Sequence, residues 1–252
     1  MPPAQFVSRV ELKRDTVPTF DTYPFCLPAV RALDRLELHP RLTVFVGENG
    51  SGKSTLLEAI AIGAGLNAEG GGRNFQFGTR ASHSNLHGYL RLVRSHRRPR
   101  DAYFLRAESF FNVATEIERL DAEPAAGPAV IDAYGGQSLH EQSHGEAFLS
   151  LLTHRFRGSG LYLLDEPEAA LSPQRQLAVL ARLHDLAKQG SQFIMATHSP
   201  ILMAYPDAWI YQFGPDGPQR ISFEDTEHFR VTRAFLANPD RMLRELLRSD
   251  SD

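Results

Sequence analysis

Gly47-Glu48-Asn49-Gly50-Ser51-Gly52-Lys53-Ser54 decides how this chain folds. It fits the phosphate-binding loop pattern G-x-x-x-x-G-K-[ST]. The flanks agree with it. Residues 42–46, Leu-Thr-Val-Phe-Val, are β-branched and aromatic and read as a buried strand, and residues 55–61, Thr-Leu-Leu-Glu-Ala-Ile-Ala, read as a helix. A strand, a glycine turn and a helix start gather backbone N–H groups around a phosphate chain, with the helix dipole pointing at it. Glu48, Asn49, Gly50, Ser51, Gly52, Lys53, Ser54 and Thr55 are the expected cradle. Lys53 is expected to reach the β- and γ-phosphates, and Ser54 to coordinate Mg2+.

Composition narrows the classes around that loop. The 252 residues suffice for one large domain or two small ones, and 42% hydrophobic with 23% charged residues is ordinary for a globular protein. A formal net charge of -3 gives no global pull toward nucleic acid or an acidic membrane. The single cysteine, Cys26, excludes an internal disulfide framework and suits a reducing cytosol. No apolar run approaches the length of a bilayer span, and the first residues, Met-Pro-Pro-Ala-Gln, lack the regions of a signal peptide. The expectation is a cytoplasmic protein without direct membrane insertion. The ten histidines show no convincing metal-ligand spacing, so no structural zinc is expected.

Strand patterns fall at 7–12, 102–107, 161–164, 192–196 and 209–213, with a short one at 74–79 and a strand or helix-to-strand join at 33–38. Helical spacing falls at 86–93, 110–120, 145–155, 174–188 and 229–247, the last interrupted at Asn238-Pro239. In 174–188 the recurring Leu177, Leu180, Leu183 and Leu186 define the face expected to be buried. The glycine-rich run 63–72 is expected to be exposed, because it has little to bury, and 122–136 reads as the main internal loop. Strands alternating with helices argue for an α/β fold around a mostly parallel sheet.

Leu161-Tyr162-Leu163-Leu164-Asp165-Glu166 is the second anchor. An apolar strand ending in two carboxylates places both at the sheet edge where ligands bind in open α/β folds. Asp165 is assigned to the metal and Glu166 to polarising an attacking water. Ala196-Thr197-His198-Ser199 ends the next strand, which brings His198 within reach of a γ-phosphate. Gln142-Ser143-His144-Gly145-Glu146 opens a helix, and reads equally as a plain cap or as an anion site.

In order and spacing, 47–54 (Walker A), 143–146 (signature), 161–166 (Walker B) and His198 (switch histidine) resemble the ATP-binding-cassette ATPase superfamily over about residues 45–213. Glu58, Asp165-Glu166-Pro167-Glu168 and Thr197-His198-Ser199-Pro200 look more like the soluble ATPases near the SMC, RecF and OLD groups, the stand-alone AAA-type ATPases of bacteria. The resemblance implies a P-loop core with a small antiparallel β part and a short helical subdomain at about 108–146. It implies Mg-dependent ATP binding and hydrolysis, with Lys53, Glu166 and His198 catalytic. It also implies an ATP-dependent homodimer in which Ser143 and Gly145 complete the site of the opposite protomer, and residues 169–172 cross the interface. His144 departs from the usual glycine of the signature.

The glutamine-loop position falls to Glu108 or Gln76, and adenine stacking to Phe20, Tyr23 or Phe25, unless those aromatics pack inward. Arg91, Arg94, Arg97, Arg98 and Arg100 read as a solvated helix face and turn, or as a phosphate-binding patch. The motor's load is left open: an unidentified protein or nucleic-acid partner, with repair or defence as settings. Two alternatives stand beside it, the nucleotide-binding subunit of a transporter and a nucleotide-gated binding module.

Overall fold

A computed structural model describes residues 5–72, 83–122 and 129–247. The strands are β1 (Val7–Leu12), β2 (Arg35–Glu37), β3 (Leu42–Gly47), β4 (Gly71–Gly72), β5 (Leu90–Arg94), β6 (Asp101–Arg106), β7 (Gly160–Asp165), β8 (Gln192–Ala196), β9 (Trp209–Gly214) and β10 (Gly217–Ile221). The helices are α1 (Pro28–Arg31), α2 (Lys53–Gly63), α3 (Phe110–Ala122), α4 (His144–Ser150), α5 (Pro173–Lys188), α6 (Pro200–Met203), α7 (Glu227–Ala237) and α8 (Pro239–Leu246). Among the described residues the main sheet has the order β10-β9-β3-β8-β7-β6-β4, and a second, antiparallel sheet has the order β2-β1-β5. In the main sheet β9, β3, β8, β7 and β6 run parallel, and the edge strands β10 and β4 are antiparallel. The expected mostly parallel core with a small antiparallel part is what forms.

Alternation along each buried strand divides the interior into two cores. Val44, Val46, Tyr103, Leu105, Tyr162, Leu164, Phe193 and Met195 face α3, α4 and α5. Phe45, Phe104, Leu161, Leu163, Ile194 and Ala196 face α2 and the antiparallel sheet. α2 is therefore covered on both sides, which is why it carries no polar stripe: Leu56 through Ala61 are all buried. Cutting Leu56 or Ile60 to alanine would cost about 2–5 kcal/mol.

Several sequence expectations need correction. Residues 86–93 do not form an α-helix: a 3-10 turn at Asn85–Tyr89 runs into β5, which pairs with β1. Leu86, Leu90 and Val93 happen to fall at helical spacing, but pairing with β1 decides the outcome. The run 63–72 is not exposed throughout. Gly70, Gly71 and Gly72 are buried, with β4 laid against β6, and the absence of side chains lets the Arg155 guanidinium lie over Gly72. The buried face of α5 is Val179, Leu183, Leu186 and Ala187; Leu177 is 58% exposed, because a period of three drifts around a 3.6-residue turn. Of the loop expected at 122–136, residues 123–128 lie outside the described residues, and Val130–Tyr134 form a 3-10 turn with Tyr134 buried. The strand expected at 74–79 and Gln76 lie outside the described residues. None of the described helices is long and apolar enough to cross a membrane.

Candidate nucleotide site

The C-terminal ends of β3, β6, β7 and β8 lie side by side, with Phe45 opposite Ala196, Ala196 opposite Asp165, and Asp165 opposite Arg106. Lys53, Ser54, Asp165, Glu166 and His198 of the sequence reading collect there. β3 ends at Gly47, with a φ of +142°; a Cβ would fall 2.5 Å from Phe213 O on β9. Gly52, with a φ of +98°, turns the loop into α2.

Lys53 is 4% exposed. Its Nζ donates to Gly47 O at 2.7 Å and Glu48 O at 2.8 Å. Burial lowers its pKa, against the pull of the Glu166, Asp165 and Glu168 carboxylates. A buried ammonium held by neutral carbonyls, beside the partnerless buried hydroxyl of Ser51, suits an anion.

Ser54 Oγ donates to Asp165 Oδ1 at 2.9 Å, joining two motifs 111 residues apart. Burial pushes the Asp165 carboxyl up to about 6; the Ser54 hydroxyl and Arg106 oppose that, and Glu166 and Glu108 add to it. A hydroxyl and a carboxylate in contact form a hard oxygen donor pair, which fits Mg2+.

Arg106, which the sequence reading did not single out, is the hub behind this pair. It donates to Glu58 Oε2 at 2.7 Å and lies 3.5 Å from Glu108 Oε2 and 3.7 Å from Asp165 Oδ2. Glu58 also accepts from Ser84 N at 3.3 Å. Glu108 is 81% exposed at its side chain and is linked to the Ser54–Asp165 pair through Arg106.

Glu166 adopts the left-handed conformation, φ 49° and ψ 52°, and its N–H donates to Ala196 O at 2.9 Å. That turn places its carboxylate 3.7 Å from His198 Nε2. Glu168 accepts from Thr197 Oγ1 at 2.7 Å and from His198 N at 2.5 Å, so the end of β8 is fastened to the loop after β7. His198 Nδ1 lies 3.0 Å from His228 Nε2 on α7. Nothing in the sequence marked His228: it sits in the first turn of an ordinary capped helix, 30 residues from its partner. Glu48, Asn49, His198, His228 and Val231 line a cleft of about 390 Å³ beside the phosphate loop.

Ser143 and Gly145 lie elsewhere. Ser143 caps α4 in a reciprocal capping box with Glu146. A Cβ on Gly145 would come 2.7 Å from Ala170 O. Arg175 reaches Glu146 Oε1 at 3.2 Å and Ser143 Oγ at 3.4 Å. The signature and the loop after Walker B thus form one surface, and among the described residues no hydrogen bond or ion pair joins Ser143 or Gly145 to the phosphate loop.

The three aromatics proposed for adenine divide. Phe25 is buried edge-on against Tyr89, Phe20 lies under Arg14, and Tyr23 is 62% exposed. The arginine stretch is not a helix face. It follows β5 into a loop where Arg94, Arg97, Arg98 and His96 line a cleft of about 530 Å³ floored by Phe6, Val7 and Leu161, at the opposite end of β7 from Asp165. Among the described residues these three arginines have no carboxylate partner, and Arg94 donates to Gly63 O.

Comparison with known proteins agrees with this geometry. Residues 129–204 match the family described as "AAA domain, putative AbiEii toxin, Type IV TA system", and residues 27–118 one described as "AAA domain". Similarity to the hemin import ATP-binding protein HmuV of Pseudomonas aeruginosa is 31% identity over 192 residues, covering 67% of this chain and 71% of that protein. UvrABC system protein A of Rhizobium meliloti is 35% identical over 86 residues, 32% of this chain, and the chain spans only 9% of that relative's length. In fold, the chain is similar to MJ1267, an ATP-binding cassette of an ABC transporter (TM-score 0.50, 15% identity, covering 97% of this chain and 100% of that one). It is also similar to "an inward-facing conformation of a putative metal-chelate type ABC transporter" (TM-score 0.51, 17% identity, covering 90% and 88%). With the phosphate loop, the carboxylate pair and the histidine assembled on one sheet edge, the chain belongs to the ATP-binding-cassette superfamily of P-loop ATPases.

Proposed function

We propose that the protein binds Mg·ATP in the phosphate loop, hydrolyses it, and closes as a head-to-tail homodimer around two nucleotides to drive or gate a cytoplasmic partner. It works as one ATPase unit, with the helical segment at about 108–146 inserted in the core. The backbone N–H groups of 48–55 and the Lys53 ammonium bind the phosphates, and Ser54 and Asp165 hold Mg2+. Bound Mg2+ supplies positive charge against the oxygens on which negative charge develops. Glu166 orients the attacking water and takes its proton, and His198 donates to the terminal phosphate. Ser143 and Gly145, which among the described residues make no hydrogen bond or ion pair to their own phosphate loop, serve the opposite protomer. The observation that carries this reading is the Ser54–Asp165 hydrogen bond of 2.9 Å, because it brings the helix start and the acidic strand end to one point.

Calorimetry and a phosphate-release assay test it. Lys53→Ala is expected to lower turnover by at least about a hundredfold. Glu166→Gln with ATP is expected to elute as a dimer in size-exclusion chromatography. Unchanged turnover in the first variant, or a monomer in both wild type and the second, rejects the site or the sandwich respectively.

Two further loads have support. The hemin import relative favours a transporter subunit, for which a solute-stimulated ATPase rate is the check. The arginines of the lower cleft, which have no carboxylate partner among the described residues, favour a nucleic-acid partner. In that case DNA binding weakens steeply with salt and is lost when Arg94, Arg97 and Arg98 are neutralised. The matched family description naming a toxin of a toxin–antitoxin system favours a defence-related setting.

A further inference from the structure

His198 meets a second titratable group at the site, His228, which the family pattern does not explain. Their facing nitrogens are 3.0 Å apart, close enough that one must carry the proton and the other accept it. The outer nitrogens, His198 Nε2 and His228 Nδ1, are both buried and make no hydrogen bond. Two arrangements fit that pattern, and the surroundings choose between them. His198 Nε2 lies 3.7 Å from Glu166 Oε1. A carboxylate at that distance favours an N–H over a lone pair, which leaves His198 Nδ1 as the acceptor.

Resting on the ATPase reading above, we propose that His228 is the positioning residue for His198: its Nε2–H donates to His198 Nδ1, which fixes His198 as the Nε2–H tautomer and presents that N–H to the terminal phosphate of bound nucleotide. In the opposite tautomer His198 Nε2 would be a bare lone pair facing an anion, and could not donate. The logic is that of a second partner fixing the tautomer of a working imidazole. The charged groups around the pair are Glu166 and Glu168 from the end of β7, Lys53 from α2, Glu48 from the phosphate loop and Glu227 from α7. Burial lowers the pKa of His228, with further contributions from His198 and Lys53. A neutral donor imidazole at that position follows from those surroundings.

Long-range 1H–15N spectra of the nucleotide-free, 15N-labelled protein read the tautomer directly, alongside turnover and nucleotide affinity. The wild type is expected to show an unprotonated Nδ1 and a protonated Nε2 at His198. His228→Phe, which removes the donor and keeps a ring, should return His198 to a tautomer mixture. The same variant should lose about ten- to a hundredfold in turnover at saturating Mg·ATP, with a shifted pH–rate profile and nearly unchanged nucleotide affinity. His228→Gln, whose amide N–H reaches a similar position, should restore the tautomer and most of the turnover. Adding His228→Phe to His198→Ala should change nothing further.

A wild-type His198 in the Nδ1–H form, or wild-type turnover and pH profile in His228→Phe, would overturn the proposal. A correctly fixed tautomer in a wild type that never hydrolyses ATP would instead sink the ATPase reading and leave the histidine pair standing.

Discussion

β6 and β7 carry a buried ionic cluster at each end, and the two ends are built on opposite plans. At the lower end Asp101 accepts from Arg155 at 2.7 Å and from Tyr162 OH at 2.9 Å, and Tyr162 OH accepts from Arg157 N at 2.7 Å. Every ionised member has its partner; the loose ends are two neutral hydroxyls, Tyr103 and Tyr134. At the upper end the loose ends are charged or titratable. Arg106 Nε and His198 Nε2 lack hydrogen bonds, and Lys53 is held by carbonyls alone. Buried polar groups are normally hydrogen-bonded, so a cluster in which ionisable atoms lack those bonds marks a candidate functional site. On the proposed reading the lower cluster holds the fold and the upper one binds the nucleotide.

The sharpest way to break that contrast is to compare a site carboxylate with a structural arginine. Glu166→Gln is expected to lower turnover by about a hundredfold or more while leaving the urea midpoint of unfolding unchanged. Its carboxylate is partly exposed and makes only the long contact to His198, so the fold loses little. Arg155→Met should do the reverse. It strands the Asp101 carboxylate, and the expected loss is about 3 kcal/mol of stability, read by denaturant titration, with turnover per folded molecule retained. A normal unfolding midpoint for Arg155→Met would mean that the lower cluster holds nothing together.

Arg106 sharpens the comparison from the other side, because it belongs to both plans. It neutralises Glu58 and sits beside Asp165. Arg106→Met is expected to destabilise the nucleotide-free protein by about 2 kcal/mol, since Glu58 loses its counter-charge. Mg·ATP should then raise the thermal midpoint of the variant, as it should that of the wild type, by mass action on the folded state. The same addition should leave the deficit of Arg155→Met as large as before.

How much of this was legible follows from where each part gets its shape. The phosphate loop, β7 and the end of β8 were readable because each is a local pattern: an apolar strand, then glycines or carboxylates, then a helix. Lys53, Ser54, Asp165, Glu166 and His198 were named from that pattern, and they meet at one edge because parallel neighbours align their C-terminal ends. Arg106 and Glu58 stood in plain view, but their pairing is set by the register of β6 on β7 and by the tilt of α2. His228 could not be found locally at all. It reaches the site on α7, after a turn at Phe223–Asp225 that follows β10, and that strand, Gly217–Ile221, has no strong strand signature. The misreading of 86–93 had the same origin: pairing with β1 is a tertiary fact, and a short apolar run does not declare its period.

Two histidines give the smallest effect and restate the contrast on one side-chain type. His39, at the entry to β3, accepts at Nδ1 from Arg41 N and Leu42 N, both at 3.1 Å. Its acceptor is occupied, whereas His198 keeps Nε2 without a bond. Burial lowers the pKa of His39 below 6.5; Arg41 and Arg220 act in the same direction and Asp207 opposes them. The unfolded chain therefore binds this proton more readily than the folded one. The stability this group contributes is complete above pH 6.5 and falls as the pH drops through that value toward the lowered folded pKa. His39→Asn keeps an acceptor at the position where asparagine bonds the N–H two residues on, and it does not titrate. Urea midpoints at pH 8 and pH 5.5 should fall further in the wild type than in His39→Asn, by a margin of less than about 1 kcal/mol for a half-exposed group. Equal losses in the two proteins would mean that the two backbone N–H groups on Nδ1 do not hold His39 neutral, and the contrast between the two ends of the sheet would not extend to this residue.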